Sequence, residues 1–168
     1  MQFVNDPTHM SKATFVAQFG GVYEHSEWVA EKAYDDGLPA DAEALIAALR
    51  TIIEASGEPA QLTLLRAHPD LAGKLAKSGA LTDESTSEQA GAGLDECTPE
   101  EFAAFTTLNE TYKAKFGFPY ILAVKGRHRV EILSNFRSRV GNSTAQEFRE
   151  ALDQVHQIAR LRLEALAT

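Results

Sequence analysis

The chain contains one cysteine, Cys97, among 168 residues. A single cysteine cannot form an internal disulfide, and without a second soft ligand it cannot build a thiolate metal cage. The sequence therefore excludes a disulfide-stapled scaffold and favours a reducing compartment.

Long hydrophobic runs are also missing, since no stretch reaches the roughly 18 consecutive apolar residues that a membrane-spanning helix needs. The opening residues MQFVNDPTHMSKATF lack the cationic start and apolar run of a secretory signal. The final LEALAT does not match a peroxisomal address. We expect a cytoplasmic protein.

Positive charge is scarce, because 16 Lys and Arg residues face 24 Asp and Glu residues and leave a net charge of −8. Nucleic acids and anionic membranes are bound by clustered cations. We expect neither as a partner.

Several catalytic motifs are absent. The sequence has no HExxH, no CxxC, no His-x-His and no histidines four apart, which disfavours a metallohydrolase and leaves no metal site predicted. It has no GxGxxG or Walker pattern for a nucleotide cofactor, and no GxSxG for a serine hydrolase.

Helical periodicity is what the sequence does contain. Apolar residues make up 44% of the chain and recur at helical spacing almost throughout, whereas strand-like alternation is scarce. We predict an all-α fold, a single compact domain of about eight helices over residues 1–168, with residues 1–10 as a flexible arm. The early helices have predicted caps and stops at Ser11 with Gly20, Ser26 with Gly37 and Asp41 with Gly57.

Helix-breaking and helix-capping residues divide the rest of the chain into further predicted helices. His68-Pro69 separates two predicted helices, because proline disfavours helical backbone for the residue before it. Thr98-Pro99-Glu100-Glu101 combines a cap, a proline and a capping-box glutamate. The predicted helices are 58–67, 70–77, a short one around 85–92 inside the polar loop 79–97, one to about 116, 129–140, and a last one capped at 142–144 and ending near 166.

Five histidines are candidates for proton transfer near neutral pH. His9, His128 and His156 are interpreted as ordinary surface residues, and His25 as part of a helix entry. His68 differs, because Pro69 stiffens its turn and the chain breaks there. A catalytic role and a structural role both remain open for it on the residues alone.

Two further features have both a structural and a functional interpretation. Phe116-Gly117-Phe118-Pro119-Tyr120-Ile121 is either a helix stop with buried aromatics or a loop presenting backbone N–H groups to a ligand. Arg160 and Arg162 point about 200° apart on the last helix. One is expected to face inward, where its guanidinium must be paired or used.

Several segments taken together resemble the OHCU decarboxylases, named for 2-oxo-4-hydroxy-4-carboxy-5-ureidoimidazoline. The resemblance runs from about Phe15 to the C-terminus and includes YEHSEWVAE, LLRAHPDLAGKLA, STSEQAGAGLD, FTTLNETYKAKFGFPYILAVKGR and EFREALDQVHQIARLRLEAL. It implies an all-helical enzyme of urate degradation, a carboxy-lyase that needs no cofactor, binds a small ureidoimidazoline carboxylate, yields (S)-allantoin and forms a homodimer.

The resemblance also implies which residues form the site. The catalytic residues would be His68, Glu88 and Arg162. The substrate-binding residues would be Pro69, Ser85, Glu88, Arg162 and the loop of Phe118, Pro119, Tyr120 and Ile121, which acts through backbone amides. Tyr120 stands where the family more often has phenylalanine.

The roles follow from the chemistry of the expected substrate. The carbon that loses CO2 carries a hydroxyl and adjoins a ring C=N, so the substrate is its own electron sink. His68 would move the hydroxyl proton, Glu88 would accept N–H groups, and Ser85 would add a hydroxyl contact. Arg162 and the loop amides would bind carbonyl oxygens as negative charge spreads.

Two other functions compete with this one. A helical binding or scaffold protein would use His68 and Glu88 as satisfied polar residues, and it would release no CO2. A related enzyme of the same fold would act on another small heterocyclic acid, and competition by allantoin would help to distinguish it.

Overall fold

A computed structural model describes Phe3, residues 5–73 and residues 78–167. This part of the chain is all-α, as predicted, with one isolated antiparallel bridge between Phe3 and Ala167. No helix within these ranges has the length and apolarity needed to cross a membrane. The α-helices described are α1 Lys12–Phe19, α2 Trp28–Asp36, α3 Ala42–Ala55, α4 Glu58–Ala67, α5 Asp83–Gly91, α6 Pro99–Phe116, α7 Arg129–Val140 and α8 Thr144–Leu166.

The chain divides into two compact units, and each is described by itself. Unit 1 comprises the described residues of Met1–Ala67 and Val155–Thr168, and unit 2 comprises those of His68–Gln154. The long helix α8 therefore contributes its first half to unit 2 and its second half to unit 1.

Unit 1 is built from helices that begin and end close to the predicted caps. The side chains of Ser11 and Asp41 accept hydrogen bonds from backbone N–H groups at the starts of α1 and α3, as predicted. Helix α2 packs against both α1 and α3, and α4 packs against α3. Each fully buried apolar side chain contributes roughly 1.5–3 kcal/mol to folding. The largest in this unit are Phe15, Phe19, Leu45, Leu49, Ile53, Leu64 and Leu65.

Unit 2 is organised around helix α6. Thr98 and Glu101 form the predicted capping box at its start. Gly117 ends it with φ of 78°, a left-handed conformation that favours glycine. Beyond Gly117 the chain runs without helix to residue 128. The buried rings around α6 belong to Phe105, Tyr112, Phe116, Phe118, Tyr120 and Phe136.

Three local predictions were wrong. Ser26 does not cap α2, because its hydroxyl donates to the Glu24 carbonyl and the helix begins at Trp28. The predicted helix 70–77 is absent from 70–73, and residues 74–77 lie outside the described residues. His156 is not a surface residue: it is 6% exposed.

His156 lies in a buried polar chain of unit 1. Its Nδ1 is 2.7 Å from the Tyr23 hydroxyl and its Nε2 is 3.0 Å from Glu54 Oε1. Both ring nitrogens therefore have partners, which compensates for burying the imidazole. Burial raises the pKa of Tyr23 far above its usual value, so its hydroxyl stays protonated in this chain.

Candidate functional site

The predicted catalytic histidine lies on a short irregular segment, residues 68–73, which we call the histidine segment. His68 directly follows α4, is 8% exposed, and is followed by Pro69. Ala72 has a positive φ of 50°, a conformation that is unfavourable for a residue other than glycine. Such a backbone persists only where its surroundings hold it in place.

Side chains from two helices provide that support. Gln89 on α5 accepts a hydrogen bond from the Ala72 N–H at 2.9 Å and donates to the Asp70 carbonyl at 3.3 Å. Asn109 on α6 donates to the Leu71 carbonyl at 3.0 Å, and Lys113 contacts the Asp70 carboxylate at 2.7 Å. Three consecutive backbone units are thus bound by side chains, which explains why this stretch is not helical.

The predicted polar pair lies on helix α5. Ser85 is 4% exposed and Glu88, one turn later, is half-buried. Residues three apart share a helix face, so these two side chains lie on neighbouring positions of one face. Gln89 is next in sequence and ties α5 to the histidine segment. The helix begins at Asp83 because the Thr82 side chain caps it.

The loop predicted to bind substrate, residues 118–121, is buried and lacks helical structure. Phe118, Tyr120 and Ile121 are each at most 3% exposed. Helix α6 contacts this loop as well as the histidine segment: Tyr112 packs edge-on against the rings of Phe118 and Tyr120. Asn109, which binds the histidine segment, lies one turn before Tyr112. Within unit 2, helix α6 therefore contacts both the histidine segment and this loop, and helix α5 is hydrogen-bonded to the histidine segment.

Arg162, the remaining predicted site residue, belongs to unit 1. Its Nη1 donates to Glu24 Oε2 at 2.8 Å and to the Gly21 carbonyl at 3.0 Å. The Arg162 side chain is 8% exposed and that of Glu24 is 1% exposed. Arg160 is 38% exposed, which confirms that one arginine of the pair faces inward and the other faces solvent.

A second buried ion pair lies in unit 2. Arg139 on α7 binds Glu147 on α8 through Nε and Nη2, with the shortest contact at 2.8 Å. Glu147 also accepts hydrogen bonds from the Tyr112 hydroxyl at 2.5 Å and from Asn142 at 2.8 Å. Burial acts to raise the pKa of Glu147, but the hydrogen bonds from Arg139, Tyr112 and Asn142 outweigh it and hold this pKa below 4.5.

We expect this shift to appear in acid unfolding. A carboxyl group whose pKa is lower in the folded state contributes stability that is complete above its unfolded pKa and is lost as the pH falls through its folded value. The stabilisation that Glu147 contributes should therefore decrease as the pH falls below 4.5. We expect the difference in free energy of unfolding between the wild type and Glu147→Gln to shrink there, as measured by urea titration at several pH values. A constant difference from pH 6 to pH 3 would contradict this assignment.

A cavity of about 530 Å³ lies beside α5 in unit 2. Ala72, Gln89, Leu94, Cys97 and Phe102 are among the residues that line it, and none of the predicted site residues does so. Within the described ranges, no group of three or more His, Cys, Asp or Glu side chains is placed to hold a metal ion.

The residues that support the site were not predicted from the sequence. Gln89 is part of the Ser-x-x-Glu-Gln motif, so a signal for it was present. Asn109, Arg139 and Glu147 had no such signal, because polar residues at these helix positions are typical of exposed faces and first turns.

Comparison with known proteins identifies the family. The sequence model of the family described as OHCU decarboxylase matches residues 8–164. The chain belongs to the OHCU decarboxylase family. The resemblance seen in the sequence is therefore confirmed over nearly its whole length.

Individual relatives agree. The chain is 43% identical to the 2-oxo-4-hydroxy-4-carboxy-5-ureidoimidazoline decarboxylase of Haloferax volcanii over 89% of this chain and 87% of the relative. It is 41% identical to that of Halalkalicoccus jeotgali over 97% and 90%. A crystal structure of (S)-allantoin synthase matches with a TM-score of 0.76 and 34% identity over 96% of this chain, which spans 53% of that longer chain.

Proposed function

We propose that this chain is a decarboxylase that converts 2-oxo-4-hydroxy-4-carboxy-5-ureidoimidazoline into (S)-allantoin during urate degradation. Its OHCU decarboxylase relatives of similar length support the reaction, and the (S)-allantoin synthase neighbour supports the handedness of the product. The observation that carries the proposal within this chain concerns the histidine segment. The side chain of Gln89 binds the backbone of this segment, and Gln89 lies on the same helix as Ser85 and Glu88.

The proposed reaction needs no external electron sink. As the bond to the carboxylate breaks, its electron pair moves into the neighbouring ring C=N, whose nitrogen takes up a proton, and CO2 leaves. The hydroxyl then loses its proton to give a carbonyl, and the adjacent ring carbon gains one. That carbon becomes the stereocentre of allantoin, so the enzyme sets the handedness by delivering the proton to one face.

We assign proton transfer to His68. An imidazole can take the hydroxyl proton near neutral pH when it lies within hydrogen-bond reach of the hydroxyl in the complex. The held backbone around it limits the positions the ring can adopt, which favours a productive geometry. Pro69, immediately after His68, restricts the backbone further.

Glu88 and Ser85 would bind the substrate from α5. The Glu88 carboxylate would accept ureido or ring N–H groups, and the Ser85 hydroxyl would add a further contact. The amides of Phe118 to Ile121 would donate to carbonyl oxygens as negative charge develops on the ring. A role for Arg162 in binding the same oxygens is part of the proposal and rests on the resemblance alone.

The handedness of the product tests the proposed function. Uncatalysed decay of the substrate gives racemic allantoin, whereas the enzyme should give one enantiomer at a faster rate. Freshly generated substrate is mixed with the protein and the circular dichroism of the product is recorded, with an enzyme-free sample as the control. Racemic allantoin formed at the uncatalysed rate would refute the function.

We also propose a homodimer in the cytoplasm that works without cofactor, metal, nucleic acid or membrane. The family resemblance supports the dimer and the independence from a cofactor. The net charge of −8 disfavours nucleic acid and membranes as partners, and the single cysteine favours a reducing compartment and offers no thiolate metal site. Light scattering of the purified chain measures the dimer directly.

A further inference from the structure

The proposed substrate loop is held from behind by a buried cation. Arg139 Nη1 donates to the Ile121 carbonyl at 2.6 Å. The same guanidinium lies over the ring of Tyr120, with its carbon 4.6 Å from the ring centroid. One side chain thus contacts two consecutive residues of the segment 118–124, which we call the amide loop.

Further contacts immobilise the amide loop around that point. The Tyr120 ring stacks on Phe136 with 3.8 Å between the centroids, and its hydroxyl donates to Asn135 at 2.5 Å. The Ala123 N–H donates to Gln154 Oε1 on α8 at 2.9 Å. Backbone or side-chain groups of residues 120, 121 and 123 are therefore held by α7 and α8.

The ion pair that anchors Arg139 is expensive to bury. The side chains of Arg139 and Glu147 are 6% and 0% exposed, and removing two charges from water often costs more than their attraction returns. Apolar side chains of similar volume would fill such a space without that cost. A geometric role for the guanidinium explains why a charged pair stands there.

We propose that Arg139 is a positioning residue, which sets the orientation of the amide loop for its N–H groups to meet the substrate. This inference rests on the proposed function and deepens it. The Ile121 carbonyl and the Leu122 N–H share one rigid peptide plane and point in opposite directions. Fixing the carbonyl therefore fixes where the Leu122 N–H points, and it restricts the backbone of Ile121, the last of the four proposed amide donors. Hydrogen bonding to a cation also polarises this peptide and makes its N–H a stronger donor.

Glu147 contributes to the same positioning role by holding Arg139. Its carboxylate takes hydrogen bonds from Arg139, Tyr112 and Asn142, so the guanidinium is fixed in the one orientation in which Nη1 faces Ile121. A lysine would keep the charge, but its single ammonium has neither the planar fork nor the stacking surface needed for Glu147, Ile121 and Tyr120 together.

Two variants of the full chain test this role. Arg139→Lys keeps the charge and removes the fork. The double variant Arg139→Met with Glu147→Gln removes both charges together, which avoids leaving one buried ion without its partner. Arg149→Met is the matched control, because Arg149 is also paired with an acid, Asp153, but both side chains are about half exposed.

We expect a change in kcat that stability alone does not produce. In folded protein, the double variant should lose roughly 10- to 100-fold in kcat with KM changed by less than about threefold, since small misplacements of catalytic groups have effects of this size. Arg139→Lys should lie between it and the wild type. Arg149→Met should keep the wild-type kcat.

The results of these measurements distinguish failure of the positioning role from failure of the proposed decarboxylase function. If the wild type yields no one-handed allantoin, the proposed function fails. If the wild type is active and the folded double variant keeps its kcat, the positioning role is wrong and the pair is only structural. Should the double variant fail to fold by circular dichroism, Arg139→Lys decides: reduced kcat at unchanged KM supports the role, and wild-type kcat overturns it.

Discussion

His68→Asn is expected to lower kcat by roughly two to four powers of ten, the usual contribution of a general acid or base. Asparagine is polar and can still donate a hydrogen bond, but it cannot take and release a proton near pH 7. The side chains of Gln89 and Asn109 hold the histidine segment through backbone groups of residues 70–72, so the substitution at His68 leaves these hydrogen bonds in place. Steady-state decarboxylation of fresh substrate measures the loss.

The matched control for this variant is His128→Asn. His128 is exposed and caps α7 by accepting from the Val130 N–H, a position where asparagine is also a favourable cap. We expect its kcat to equal that of the wild type. Equal kcat for His68→Asn and the wild type, with both folded by circular dichroism, would show that His68 does not transfer the proton.

Local signals predicted most helix ends, and they failed where a distant side chain determined the backbone. The Thr98 capping box and the stop at Gly117 depend on residues within one helix, so the sequence suffices for them. Residues 70–73 follow a proline, a position typical of a helix start. The N–H of Ala72 is instead bound by the side chain of Gln89, seventeen residues later in the chain. A contact at that separation leaves no periodic pattern to read.

The same limit applies to the candidate site. His68, Ser85 and Glu88 were predicted because their motifs resemble those of a family, and the structure places the histidine segment against the helix that carries the other two. Arg139 and Glu147 carry no motif. An acid in the first turn of α8 is ordinary helix chemistry, and only the folded unit shows that this one is buried and bound by three side chains.

His156 shows a related limit for single residues. Periodicity placed it on a polar face of the last helix, yet its ring lies between Tyr23 and Glu54. A histidine can be buried as readily as an apolar residue once both nitrogens have partners. The sequence distance to these partners, 133 and 102 residues, explains why the pattern did not predict it.

Arg162→Met is expected to have a large effect on stability. It would remove the guanidinium from Glu24, a carboxylate whose side chain is 1% exposed. Breaking one side of a buried ion pair costs about 3–5 kcal/mol, because the remaining charge stays desolvated. Urea unfolding measures the loss. Arg160→Met, two residues earlier, removes a guanidinium that pairs with Glu43 and Glu164 at the surface, and it should leave the free energy of unfolding nearly unchanged because solvent screens such pairs.

A double variant separates the role of Arg162 in folding from its proposed role in catalysis. Glu24→Gln combined with Arg162→Met removes both charges, so it should recover most of the lost free energy of unfolding. If Arg162 binds the substrate, kcat/KM should stay low in the double variant even though its stability is restored, because the missing contact is with the substrate and not with Glu24. Recovery of kcat/KM together with stability would show that Arg162 serves the fold alone.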